Sequence, residues 1–242
     1  LLIDALGWRA PFLLLSGLLL SAFLGYGRLP AARQAQLAES VKTPFSWRSV
    51  VAFFELGQNK RSAWMALLVV ALNMMAAMNV FISYGTWLAR EYGLDVVSLG
   101  TVALILGVAD LSGSVLMSLV GDNFGLRRSV IAGTALACLG YGLLPVLNQG
   151  ILPAVVGLIV ARFAFEFTVV GHIALLSEQA PDYRGTMMSL AAAAALLGSS
   201  TAGFIGPWVY DRFQVLGLSL ISASIMGVSI ILLRFFVRNR AE

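Results

Sequence analysis

No charged side chain interrupts residues 62–89, between Arg61 and Arg90. That single fact removes most folds. A helix needs about 20 largely apolar residues to cross a bilayer, and this stretch exceeds that length. The pattern recurs along the chain. Residues 10–27 are uncharged between Arg9 and Arg28, and residues 96–121 hold only Asp110. Residues 129–147 run to a break at Asn148–Gly150, and residues 151–177 contain Arg162, Glu166 and His172. Residues 185–210 and 213–233 are uncharged again. The seven segments are too long for strands and do not alternate. In hydrocarbon, moreover, backbone groups must be bonded within a helix or a closed barrel. The expected fold class is therefore an all-α membrane protein with seven transmembrane helices.

Composition agrees. Charged residues make up 12% of the 242-residue chain and hydrophobic ones 59%, with a mean hydropathy of +0.88; soluble domains carry roughly 25% charge. The net charge of +4 is not a nucleic-acid footprint, because the basic residues sit between apolar blocks and not along one polar face. Cys138 is the only cysteine, so no intrachain disulfide forms.

Lys and Arg in the loops set the orientation. Arg28, Arg33, Lys42, Arg48, Lys60, Arg61, Arg127, Arg128, Arg184, Arg234, Arg238 and Arg240 fall on one side; Arg9, Arg90 and Arg212 fall on the other. The crowded side is expected to be cytoplasmic, which puts the first residue outside and the last inside. Within the loop at 28–61, Trp47, Val50, Val51 and Phe54 share one helical face, with Ser46 placed to cap the start and Gly57 the end. Such a stripe suits the inner leaflet and suits packing against helix ends equally. A faint echo links the span after Asp4 with the span after Asp211, as parallel repeats in a membrane protein would.

Two segments on the basic side are more specific. "SLVGDNFGLRRSV" (118–130) resembles the signature loop of the major facilitator superfamily through Asp122, Gly125 and Arg127, while Ser118, Asn123 and Leu126 replace a glycine and two basic residues of that pattern. "SEQAPDYRGTMMSL" (177–190) resembles the same family's junction through Glu178, Pro181, Arg184 and Gly185. Pro181 should end one helix, and Arg184 can pair with Glu178 or Asp182. "GWRAPF" (7–12) is similar to that family's entry to its sixth helix.

The resemblance implies three parts. Residues 1–29 would be the sixth helix, closing an N-terminal half. Residues 30–61 would be the central cytoplasmic loop with its amphipathic helix, and residues 62–242 the C-terminal six-helix bundle. The chain opens without Met and in mid-element, which fits a piece whose first five helices lie upstream. The resemblance further implies secondary transport of a small organic solute by alternating access in a plasma or inner membrane, with proton-coupled efflux the favoured form. It implies lipid, solute, protons and an N-terminal half as partners, and no cofactor. Asp122 and Arg127 would form a latch between halves.

Arg162 and Glu166 sit roughly 16 and 22 Å into their span at a rise of about 1.5 Å per residue, near mid-membrane. Spaced i, i+4, they share a face and can pair. A lone charge there costs about 2.5–3.5 kcal/mol on insertion scales, so both should face the bundle interior or a wet cavity. Two uses fit: a proton- or substrate-binding pair, or a static pair joining helices. Asp110 can join the arginine or titrate alone. In the second span, Asn73, Asn79, Ser83 and Tyr84 are candidate polar contacts for a solute, though Asn and Ser also simply bond helices together. His172, near the basic side, reads more readily as an interfacial hydrogen-bonding residue than as a relay. Gly198, Ala202 and Gly206 recur every four residues and should let a second helix approach closely.

Other classes fit less well. A retinal-binding receptor needs an intramembrane lysine, but Lys42 and Lys60 both lie in the loop. One His and one Cys make no metalloenzyme motif, so no enzyme and no metal are expected. A non-transporting scaffold or a receptor-like seven-helix protein is the alternative.

Overall fold

The computed structural model describes residues 10–26, 54–57 and 59–237. The stripe residues Trp47, Val50 and Val51, with most of the central loop, lie outside that set. So do Asp4 and Arg9.

The chain divides into two units, 1–54 and 55–242. In the first, helix α1 (Ala10–Tyr26) is apolar all round, with Leu13, Leu18, Leu20 and Phe23 exposed. Its 17 residues reach about 26 Å at 1.5 Å per residue, slightly short of a bilayer core.

The second unit is all helical among its described residues: α2 (Lys60–Tyr92), α3 (Val96–Phe124), α4 (Leu126–Leu147), α5 (Ile151–Gln179), a 3-10 turn (Pro181–Tyr183) and α6 (Arg184–Phe235). Each of the five long helices is apolar enough to cross a membrane. Exposed Val97, Leu104, Val108, Leu111 and Leu119 run the length of α3, a surface that suits lipid rather than water.

The 52 residues of α6 would span about 78 Å if straight, more than twice a bilayer core. The helix bends instead at Gln214, whose φ of 54° and ψ of −151° are non-helical. The two arms, 184–213 and 215–235, are the sixth and seventh expected spans. The break differs from expectation in one respect: Asp211 and Arg212 are helical, and the reversal falls on Gln214.

Small residues set the packing. A Cβ on Gly198 would lie 2.1 Å from the Ala71 carbonyl, and one on Gly206 would lie 2.9 Å from that of Asn79. The first arm of α6 thus runs parallel to α2 in near backbone contact, with Ala202 fully buried between. The second arm runs antiparallel to α4. Ser219 donates to the Tyr141 carbonyl at 2.6 Å, and the Cys138 thiol donates to that of Ala223 at 3.3 Å. Ser222 ties the same arm to α2 through the Ala76 carbonyl at 2.8 Å. Helix α5 lies against α4 through Gly140 on Ala161 and Gly157 on Leu144. It lies against α3 through Gly113, whose Cβ would meet the Phe163 carbonyl at 2.3 Å.

Gly198→Ala should therefore force α6 off α2 and lower stability by about 1–3 kcal/mol, the usual cost of overpacking. Gly203→Ala, with open space around it, should be neutral. Chemical denaturation in detergent reads the difference.

Candidate functional site

Close packing at Gly113 brings α3 within reach of α5, and Asp110 sits one turn earlier on α3. Its two carboxylate oxygens accept from Arg162 Nε at 2.9 Å and Nη2 at 2.5 Å, a bidentate pairing matched to the planar guanidinium. Glu166 Oε1 lies 3.5 Å from the same Nη2. The strong partner of Arg162 is thus Asp110 on another helix, and the i, i+4 glutamate is second. The Arg162 side chain is 10% exposed, those of Asp110 and Glu166 25% each. Two rings complete the setting, with Arg162 Cζ 4.6 Å from the centre of Phe81 and 5.3 Å from that of Phe165. Such cation–π contacts strengthen where water is excluded. Arg162 Nη1 is buried with no hydrogen-bond partner among the described residues.

The charge count matters. One guanidinium balances one carboxylate, and Asp110 holds the better geometry. Glu166 is the acid left over, and a proton on it would leave the cluster neutral.

Of the second-span residues, Tyr84 joins this cluster; it lines a small void with Arg162, Phe81 and Tyr141. Asn79 does not join, being buried against Gly206 of α6. Asn73 lies lower on α2 and faces a different cavity, of about 300 Å³, which it shares with His172. His172 is 4% exposed, packed inside the bundle, and its Nε2 has no hydrogen-bond partner among the described residues.

The signature loop is built as its glycine required. Gly125 alone separates α3 from α4 and has φ +83°, a region open to glycine at little cost. Arg127 donates to the Leu233 carbonyl at 3.1 Å and to that of Arg234 at 2.5 Å, so it caps the last turn of α6 within its own bundle. Asp122 lies in α3, and its side chain is outside the described set. At the junction, α5 stops at Gln179, Pro181 opens the 3-10 turn and α6 begins at Arg184. Among the described residues the exposed Arg184 forms no ion pair with Glu178 or Asp182. Gly185 is exposed beside it.

At the opposite end, sequence reading missed a polar clasp. Trp87 Nε1 donates to Glu91 at 2.9 Å and to Asn148 at 3.0 Å. Tyr92 donates to Asn148 at 2.6 Å, and Asn148 donates to Glu91 at 2.6 Å. Asn148, read only as a break, pins the α4–α5 turn to the end of α2. The Trp87 and Glu91 spacing of i, i+4 was the available signal.

The chain is 30% identical over 138 residues to an uncharacterized MFS-type transporter, YceJ, of Bacillus subtilis (strain 168), a match covering 55% of this chain and 34% of that relative. The chain thus spans about a third of that relative's length. The family model of the Major Facilitator Superfamily matches residues 66–242. With its apolar helix bundle, the chain is a multi-pass membrane protein belonging to the major facilitator superfamily.

Proposed function

We propose that this chain supplies the sixth helix and the C-terminal bundle of a secondary active carrier, which moves a small organic solute across a plasma or inner membrane by alternating access. Proton-coupled efflux is the favoured form. The observation that carries the reading is the Asp110–Arg162–Glu166 cluster, two acids and one base midway along the spanning helices. Intramembrane ionisable groups are costly and mark ion or substrate paths by default. In this reading Glu166 carries the proton, Arg162 and Asp110 hold the field around it, and Tyr84 closes the near side. The relative described as a transporter supports the class. An N-terminal half, outside this chain, would complete the chamber. The basic side is cytoplasmic, and the loop of Asp122, Gly125 and Arg127 anchors the bundle end against that half, Arg127 by holding α6. The junction of Glu178, Pro181, Arg184 and Gly185 turns α5 into α6 on the same side.

The test is reconstitution of the full-length protein in vesicles that report internal pH. Addition of one member of a panel of small organic solutes should drive proton movement opposite to the solute. Solute flux with no proton movement would refute coupling, and no flux for any solute would refute the carrier.

A further inference from the structure

The last turn of α6 is ringed by positive charge. Arg127, at the start of α4, donates to the Leu233 and Arg234 carbonyls. Arg61, at the start of α2, holds its Cζ 5.3 Å from the centre of the Phe236 ring. Two helix starts thus converge on one helix end. They bring Lys60, Arg61, Arg127, Arg128 and Arg234 together at the basic end of the bundle. Among the described side chains at that end the carboxylates are Glu55, Glu178 and Asp182, and none forms an ion pair with any of the five. Arg127 is committed to the α6 carbonyls, where it answers the negative end of the helix dipole, and Arg61 is stacked on its ring. Lys60, Arg128 and Arg234 are exposed, with like charges for neighbours.

Apolar stripes lead away from two of these cations. On α4, exposed Ala132, Leu136, Leu139 and Leu143 continue the face of Arg128. On the second arm of α6, exposed Val228, Ile231 and Phe235 run up to Arg234. Steps of three and four residues keep each stripe on one helix face. The two helices are neighbours, joined where Ser219 meets the Tyr141 carbonyl and Cys138 meets that of Ala223. A free anion would neutralise the cations and leave the stripes bare. A zwitterionic lipid would carry a further cation to a crowded place. An anionic phospholipid answers both features, since phosphate oxygens accept paired guanidinium N–H groups and acyl chains cover apolar side chains.

We propose that the basic ends of α4 and α6 hold one anionic phospholipid, its phosphodiester on Arg128 and Arg234 and its acyl chains along the exposed faces of these two helices. Lipid binding here is independent of whether the bundle transports.

Native mass spectrometry reads the first bound lipid. The full-length protein, delipidated in detergent, is titrated with phosphatidylglycerol or with phosphatidylcholine of the same acyl chains. Phosphatidylglycerol should bind about tenfold more tightly, as two basic residues beside an anionic headgroup imply. Arg128→Gln combined with Arg234→Gln should remove that preference. Arg212→Gln, at the opposite end, should preserve it. Inorganic phosphate at millimolar concentration should not displace the bound lipid. Equal affinity for the two lipids in the native protein, a comparison that requires no variant, would overturn the proposal. A preference that survives the double substitution would overturn the assignment to Arg128 and Arg234, and displacement by phosphate would make the ligand a free anion instead of a lipid.

Discussion

Glu166→Gln in the full-length protein is expected to reduce proton-driven solute movement to the level of empty vesicles while downhill exchange of the solute continues. The amide keeps the shape of the carboxyl and the 3.5 Å approach to Arg162 but cannot take up or release a proton. Asp110 remains paired to the guanidinium, so the fold should be unaffected and expression normal. Asp110→Asn should act differently. It breaks a bidentate pairing and leaves Glu166 as the only counter-charge, so stability falls along with transport. Coupled flux at the native rate in the Glu166→Gln protein would remove Glu166 from the mechanism.

The largest stability effect should come from Arg162→Leu. Removing the base leaves two carboxylates facing each other inside the bundle. Breaking a buried ion pair by deleting one partner costs about 3–5 kcal/mol, and here a second acid adds repulsion. Adding Asp110→Asn and Glu166→Gln to the Arg162→Leu background should recover most of that loss, since well-packed neutral groups often match a buried pair in stability. Denaturant titration in detergent would resolve the series. A single Arg162→Leu variant as stable as the native chain would mean that both acids are already protonated, and the charged cluster would lose its organising role.

The sequence made the helices plain because charge is so costly in lipid that uncharged runs mark the spans by themselves. The i, i+4 relation of Arg162 and Glu166 was equally visible, being local to one helix. The main partner of Arg162 was not. Asp110 lies 52 positions away, and its approach depends on Gly113 letting α3 lie against the Phe163 carbonyl. Nothing in the span itself distinguishes that contact from a lone titrating acid. The same holds for Phe81, whose placement over Arg162 follows from how α2 meets α5. Asn73 and His172 were each legible as polar residues in apolar surroundings, but their sharing of one cavity is a property of three packed helices. The bend at Gln214 had no local signal: glutamine rarely takes a positive φ, and the charged Asp211–Arg212 step was the more obvious place to break. Arg127 was legible as part of a motif, but its acceptors within this bundle, the carbonyls that α6 leaves unpaired at its own end, lie more than a hundred positions away and carry no local signal.

The central claim is that the Asp110–Arg162–Glu166 cluster borders water inside the membrane. Cysteine accessibility measures this directly. In the full-length protein with Cys138→Ser as background, Glu166→Cys should react with a small charged thiosulfonate that does not enter lipid. Leu104→Cys, on the exposed apolar face of α3, should remain unmodified. If the Glu166→Cys protein proves as inert as the Leu104→Cys protein from both sides of the membrane, the cluster is sealed in dry packing and is a structural brace rather than a proton site.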